Sequence, residues 1–331
     1  MAARTRTPHA AAAPRSAKPG LHPRNRHVHG YDFPRLLTVC PALRPFVSPN
    51  AYGNDSVDFA DPEAVKALNQ ALLQDAYGIV GWDIPPGFLC PPVPGRADYL
   101  HHLADLLASC NGGVIPHRVR ALDIGVGANA IYPLIGHQEY GWRFLGVDTD
   151  AAALASAQRI LAANAGLEAA ISLRLQRDGH WIFDGVVQAE DRFDLTLCNP
   201  PFHGSLREAR EAAQQKWRQL GRGAAGAARN FGGHGAELWC QGGEVGFVTR
   251  MIQESSGLAE RVAWFTTLIS SSAHLPAVQR ALRQAEARDI RTLPMAQGQK
   301  QSRAVAWSFL GPDAMAAWAL SRWQPPTMED F

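Results

Sequence analysis

No acidic residue occurs in the first 30 positions of this chain, although Arg4, Arg6, Arg15, Lys18, Arg24 and Arg26 all fall there. The 331-residue sequence carries a formal charge of only +2, so setting those six aside leaves 26 basic against 30 acidic side chains, a body of net −4. The positive excess sits in one arm. That arrangement suits phosphate contact at one end, without the uniform basic coat of a nonspecific nucleic-acid binder. A solvated, unstructured tail has the same composition, above all over residues 1–19.

Paired cysteines are missing too. Cys40, Cys90, Cys110, Cys198 and Cys240 are odd in number and show no C-x-x-C spacing, which argues against a structural zinc site and for reduced thiols. No apolar run approaches the roughly 18 residues needed to span a bilayer, and the N-terminus lacks the apolar stretch of a secretory signal. A soluble, cytoplasmic protein with no membrane partner and no metal is expected. The Arg- and Ala-rich start also has the composition of an organelle transit peptide, but the same Ala, Arg and Gly bias runs through the whole chain.

No internal repeat organises the sequence. Its 46% hydrophobic content can bury one large α/β core and a modest extra lobe. Residues 1–30 read as a basic, disordered arm. Asp61–Tyr77 has helical spacing, with Asp61 placed to cap and Pro62 at the first helical position. Pro85, Pro86, Pro91, Pro92 and Pro94 make 83–96 an extended crossing before a second helix near Asp98–Ser109. Residues 31–112 thus form an N-terminal helical lobe.

From Val119 onward, short apolar runs alternate with amphipathic stretches, the pattern of a parallel sheet wrapped by helices. Strands are predicted at Arg120–Ile124, Arg143–Val147, Ile171–Leu175, Phe193–Leu197, Val262–Ile269, Ile290–Leu293 and Ala304–Leu310. Helices are predicted at Asp150–Ala163, Gly243–Ser256 and Leu275–Arg288. The expected fold class is α/β, a Rossmann-like sheet of about seven strands over 113–311, with a C-terminal tail at 312–331. A short polar loop between the last two strands lets them pair antiparallel at the sheet edge.

The first chemical motif, Leu122-Asp123-Ile124-Gly125-Val126-Gly127-Ala128-Asn129, closes the first strand of that sheet. Glycines there let backbone approach a ligand closely. A dinucleotide fingerprint would place a third glycine at position 130, which is Ala130. What remains is acid-x-Gly-x-Gly, in which Asp123 can orient the loop and meet a cationic ligand. The second strand ends in Val147-Asp148-Thr149-Asp150, where Asp148 or Asp150 can accept hydrogen bonds from ribose hydroxyls. The pairing points to a nucleoside cofactor without a pyrophosphate. The glycine pair alone would also serve simply to turn a strand into a helix.

The second motif, Cys198-Asn199-Pro200-Pro201-Phe202, directly follows the strand at Phe193–Leu197. In a doubly wound sheet the C-terminal ends of adjacent strands meet over one crevice, so Asn199 is expected to face the ligand held by Gly125 and Gly127. A conjugated amine is a poor nucleophile because its lone pair is delocalised. Asn199 Oδ1 and the Pro200 carbonyl can accept its two N–H hydrogens and favour the localised pair, while Pro200 and Pro201 fix the backbone and Phe202 offers a stacking face for an extruded base. Asn-Pro also starts ordinary turns. Cys198 has no evident base partner and reads as a small buried hydrophobe.

These motifs resemble those of amino-group methyltransferases in general. A longer set extends the resemblance: Leu21-His22-Pro23-Arg24-Asn25-Arg26-His27, Val57-Asp58-Phe59, Pro91-Pro92-Val93-Pro94-Gly95-Arg96-Ala97-Asp98-Tyr99, Ile131-Tyr132-Pro133-Leu134-Ile135-Gly136, Asn230-Phe231-Gly232-Gly233, Gly242-Gly243-Glu244 and Met295-Ala296-Gln297-Gly298-Gln299-Lys300-Gln301-Ser302-Arg303. The chain is similar from Gly20 to Phe309 to the RlmF family of bacterial large-subunit rRNA adenine-N6 methyltransferases, and to eukaryotic relatives acting on small nuclear and messenger RNA. The resemblance implies a class I S-adenosylmethionine methyltransferase acting on one adenine of 23S rRNA, position 1618, as naked rRNA or in a large-subunit assembly intermediate. A monomer with an RNA-binding N-terminal lobe is expected. The resemblance implies cofactor binding by Arg96, Asp123, Gly125, Gly127, Asp148 and Asn199, with Arg96 at the cofactor's carboxylate, and catalysis by Asn199, Pro200, Pro201 and Phe202.

RNA contact is expected at Arg24 and Arg26 of the arm and at Lys300 and Arg303 between the last two strands. The insertion 203–236, with Arg207, Arg210, Lys216, Arg218, Arg222 and Arg229 among Gly and Ala, reads either as a loop that orders on RNA or as a tolerated insertion. Three other functions fit parts of the pattern. A protein glutamine methyltransferase would use the same Asn-Pro-Pro motif, against which the basic arm and the arginine-rich insertion speak; a DNA amino-methyltransferase would modify duplex DNA; and an RNA-binding factor without catalysis would not bind S-adenosylmethionine.

Overall fold

A computed structural model of the chain describes residues 20–201, 239–297 and 300–323. Residues 1–19, Phe202, the insertion at 203–236 and the end of the C-terminal tail lie outside the described residues. The lobe opens with α1 (Phe33–Val39), the short hairpin β1 (Val47–Pro49) and β2 (Asp55–Val57), and α2 (Pro62–Tyr77). Asp61 caps α2 as expected, its side chain accepting the Glu63 N–H, and Gly78 ends it in the left-handed conformation. The following helix, α3 (Val93–Ser109), starts before the expected Asp98. Pro92 is its N-cap and Pro94 lies in its first turn, where a missing N–H costs nothing.

The sheet follows: β3 (Arg120–Ile124), α4 (Ile131–Tyr140), β4 (Arg143–Asp148), α5 (Ala151–Ala162), the single turn α6 (Leu167–Ala170), β5 (Ile171–Leu175), β6 (Phe193–Cys198), α7 (Gly243–Ser255), β7 (Val262–Ile269), α8 (Leu275–Gln284), β8 (Asp289–Gln297), β9 (Lys300–Ser308) and α9 (Pro312–Arg322). Its seven strands run in the order β5-β4-β3-β6-β7-β9-β8. Strands β3 to β7 are mutually parallel, whereas β9 is antiparallel to both β7 and β8. The strand order reverses between β3 and β6, and that switch point places a crevice at their C-terminal ends.

One face of the sheet packs against α4, α5 and the lobe in a continuous core that runs from Phe33 and Leu73 through Tyr99 to Leu195 and Trp264. The other face packs on α7 and α8 around Phe265, Met251 and Trp307. Helix α4 presses hard on the strands: a Cβ at Gly136 would lie 2.5 Å from the Phe144 ring, so only glycine fits. Among the described residues, no helix is long and apolar enough to cross a membrane.

Two expected boundaries move. Residues 20–30, read as part of the arm, are packed on α3: Asn25 is buried, with Nδ2 donating to the Pro94 carbonyl at 2.9 Å and Oδ1 accepting the His27 N–H at 3.0 Å. Buried polar groups supply the adhesion that composition could not reveal. The start of the expected C-terminal tail is α9, anchored by the fully buried Asp194 of β6, which accepts from Trp318 Nε1 at 2.8 Å, Trp323 Nε1 at 2.9 Å, Arg322 Nε at 2.9 Å and the Arg120 N–H at 2.7 Å.

Candidate active site

The parallel register of β3 and β6 pairs Ile124 with Cys198, so the next residue of each strand, Gly125 and Asn199, emerge side by side at the switch point. The glycine turn uses its conformational freedom, with φ of 75° at Gly125 and 64° at Gly127. It is clamped to the neighbouring strand: the Gly125 and Val126 N–H groups donate to the Val147 carbonyl at 2.9 and 3.0 Å, and the Gly127 N–H to Asp148 Oδ2 at 2.9 Å. Ala130, where a dinucleotide site has its third glycine, also adopts a left-handed φ of 48°. Asn129 Oδ1 braces that turn by accepting the Ile131 N–H at 3.0 Å.

A cavity of about 280 Å³ opens over these tips, bordered by Arg96, Gly125, Gly127, Asp148, Asn199 and Pro201. Pro200 is buried and does not border it. Asp123 sits beneath, 1% exposed, with neither carboxylate oxygen hydrogen-bonded. Burial, with a smaller push from the neighbouring Asp148, raises its pKa to about 8 despite the opposing pull of Arg96. Arg96 donates to the Tyr132 hydroxyl at 2.7 Å, but its Nε is buried without a partner. Asn199 Oδ1 is likewise buried and unpartnered. Orphaned buried polar atoms are rare in folded proteins; Arg96 and Asn199 bring a donor for an anion and an amide oxygen for an N–H to the cavity wall, and Asp123, next in the chain to Ile124 of that wall, adds an uncommitted carboxylate behind it.

Asp148 and Asp150 part company. Asp148 borders the cavity and uses its oxygens on the N–H groups of Gly127 and Asp150; burial, more than any other influence, raises its pKa. Asp150 Oδ1 caps α5, accepting the Ala152 and Ala153 N–H groups at 2.7 and 3.3 Å. Cys198 is fully buried, and burial lifts its thiol far above the ordinary range, so it is no nucleophile.

Of the residues expected to meet RNA, Arg24, Arg26 and Arg303 do not border this cavity. Arg24 pairs with Asp105 at 2.6 Å and also donates to the His101 carbonyl, while Arg26 pairs with Glu139 at 2.7 Å. Their charges pin the N-terminal strap to the body. Arg303 is half-buried and pairs with Ile269 at the cavity end of β7. Lys300 opens β9 opposite Gln297, and its side chain lies outside the described part. Sequence reasoning gave no site role to Tyr132, Trp181, Phe247 or Arg250, which also border the cavity. Trp181 carried a usable signal, an aromatic in the loop after a predicted parallel strand, where ligands bind; Arg250 carried none.

A mostly parallel seven-stranded sheet closed by an antiparallel pair, with acid-x-Gly-x-Gly at its switch point, defines a class I S-adenosylmethionine-dependent methyltransferase. The chain belongs to a family of RNA methyltransferases, whose family model matches residues 15–311. A protein of Yersinia pestis bv. Antiqua named Ribosomal RNA large subunit methyltransferase F is 57% identical over 310 residues, covering 92% of both chains. The protein of that name from Yersinia enterocolitica is 56% identical over the same length. Among solved structures, the hMettl16 catalytic domain in complex with MAT2A 3′UTR hairpin 1 superposes with a TM-score of 0.75 at 30% identity, covering 88% of this chain and 96% of that one. The N-terminal domain of human METTL16 in complex with SAH gives 0.70 at 29% identity, with 88% and 99% covered. The protein is an RNA methyltransferase that uses S-adenosylmethionine.

Proposed function

We propose that the protein methylates the N6 amine of one adenine in 23S rRNA, position 1618 by family resemblance, acting in the cytoplasm as a monomer on rRNA or a large-subunit assembly intermediate. One observation carries the proposal: Asn199 Oδ1, buried without a hydrogen-bond partner, stands beside the glycine turn on the cavity wall. In this reading Arg96 holds the cofactor's carboxylate, Asp123 its ammonium and Asp148 its ribose, while Asp150 stays committed to its helix cap. Bound S-adenosylmethionine supplies the electrophilic methyl group.

The chain's own residues prepare the acceptor. Asn199 Oδ1 and the Pro200 carbonyl take the two N–H hydrogens of the adenine amine, which localises the nitrogen lone pair and aims it. Pro200 and Pro201 hold both acceptors before substrate arrives, so little reorganisation accompanies the reaction. No strong base is required, because the nitrogen's proton becomes acidic once the methyl is attached. Phe202 stacks on the extruded base, and Lys300 and Arg303, at the cavity end of the sheet edge, meet phosphate.

The names of the Yersinia relatives favour large-subunit rRNA over DNA or protein. The test is transfer of labelled methyl to total RNA from a strain lacking the gene, followed by nucleoside analysis. N6-methyladenosine in 23S rRNA is expected. Label on duplex DNA or on protein glutamine, with RNA unlabelled, refutes the proposal.

A further inference from the structure

The backbone pairing of β6 with β7 is in register only at Phe193–Val262 and Leu195–Trp264, although β7 runs on to Ile269. Beyond Leu195 the two strands are joined by hydroxyl groups. The Thr266 N–H donates to Thr196 Oγ1 at 3.1 Å, and Thr266 Oγ1 donates to the Thr196 carbonyl at 2.5 Å. Thr266 has then used its one hydroxyl proton, so the Tyr99 hydroxyl, 2.6 Å away, is the donor to Thr266 Oγ1. The backbone amide of Cys198, the residue before Asn199, lies against the same phenol oxygen.

Tyr99, Thr196 and Thr266 are all fully buried. Three hydroxyls in a sheet interior are costly unless each is bonded, and plain ladder hydrogen bonds would have joined the strands without them. Their effect is to join the two strands by side chains where the ladder stops, at the end of β6 that carries Asn199. Tyr99 reaches this point from α3, one helical turn past Arg96. Its ring lies edge-on to Tyr132 at 5.6 Å, and Tyr132 in turn receives the Arg96 guanidinium at 2.7 Å. One helix of the lobe thereby holds both the anion-binding arginine and the tip of the catalytic strand.

We propose that Tyr99 is a positioning residue for methyl transfer: through Thr266 and Thr196 it fixes the end of β6, and so the place at which Asn199 holds the acceptor amine. The proposal rests on the reading of Asn199 as the amine-binding residue. A purely architectural hydrogen bond would instead lower the melting temperature and leave turnover alone.

Steady-state kinetics with labelled S-adenosylmethionine and the RNA that the wild type methylates separate the two. Tyr99→Phe removes one oxygen and is expected to lower kcat about tenfold, leaving KM for cofactor and RNA within about twofold, because a small misplacement of the reacting groups affects the transition state and not ground-state binding. Thr266→Val is expected to do the same, Thr266→Ser to retain activity, and the pair Tyr99→Phe/Thr266→Val to fall no further than the worse single variant. A kcat for Tyr99→Phe within about twofold of wild type, or equal losses in Thr266→Ser and Thr266→Val, overturns the proposal. If Tyr99→Phe does not fold, the Thr266 pair is judged by the same criteria. The comparison is a ratio to wild type on whichever amine is methylated, so a wild type that makes a product other than N6-methyladenosine sinks the substrate assignment and leaves this one to be judged separately.

Discussion

Asp123→Asn is the sharpest perturbation the site offers, because it keeps the shape of the side chain and removes only its charge. With a pKa of about 8 in the folded protein and about 4 in the unfolded chain, Asp123 holds a proton in the native state that the unfolded state has lost throughout that window. Stability of the free enzyme therefore falls as pH rises from about 4 to about 8, by up to about 1.4 kcal/mol per unit, and levels above. Binding runs the opposite way. The cofactor's ammonium pairs with the ionised carboxylate, so at pH 7 binding must expel a proton from most Asp123 side chains, and affinity should rise nearly tenfold between pH 6 and pH 7. It should peak near pH 8, where the ligand's own α-amine, with a pKa of about 7.7–8.0, begins to lose its proton.

In Asp123→Asn the proton release and the rise between pH 6 and 7 should both disappear. Affinity at pH 8 should fall by roughly 2–3 kcal/mol, about 30- to 150-fold, the cost of removing one partner of a buried charge pair. The free variant should melt higher than wild type at pH 8. Calorimetric titration at pH 6, 7 and 8, in buffers of differing ionisation enthalpy, reads the dissociation constant and the proton count together. A wild-type affinity flat over that range with no proton released, or a variant that keeps the slope, would refute the pairing of Asp123 with the ammonium.

Asn199→Ala should lower kcat by about 10²–10³ while cofactor affinity, measured by the same titration, stays within a few-fold of wild type; unchanged turnover would remove Asn199 from its proposed role. Asp194→Ala leaves the Trp318, Trp323 and Arg322 donors without their shared acceptor, and should cost about 3–5 kcal/mol in denaturant unfolding and expose α9 to protease. Arg303→Ala should reduce the slope of log KM for RNA against log salt by about one. Arg26→Ala, which breaks the ion pair with Glu139, should leave that slope alone and cost no more than about 1 kcal/mol of stability.

The inner strands of the sheet were legible because they bury both faces and so read as apolar runs between polar breaks: Val262–Ile269 falls where the sequence places it, and Phe193–Cys198 runs one residue past its expected end. Helix α4 was not, for the same reason. Its first turns, Ile131 to Gly136, are buried on every side, so no polar stripe marks a helical period. Strands β8 and β9 extend to Gln297 and Lys300 because hairpin pairing continues through Pro294–Gln297 and Lys300–Arg303, where no regular apolar alternation marks a strand. The glycine turn and Asn199 were legible as local motifs, whereas Arg250 comes from mid-helix in α7 and faces the cavity only through tertiary packing. The strap at residues 20–30 looked like a charged tail because its anchors, such as Asn25, are single buried polar side chains rather than a pattern.

Lobe and sheet share more than a core. Trp82, just before the proline-rich crossing, donates from Nε1 to the Asn129 carbonyl at 2.9 Å, on the turn that leads from the glycine loop into α4. Asn164, just past α5, exchanges hydrogen bonds with Val80 in both directions, at 2.8 and 2.9 Å. Arg96, from α3, brings into the cavity a cation that no sheet strand supplies. An appendage that only gathered RNA could be joined by a flexible connection and would leave the cofactor cavity complete without it. These contacts instead make the lobe one wall of the cavity, so any displacement of α3 moves Arg96, the group proposed to grip the methyl donor.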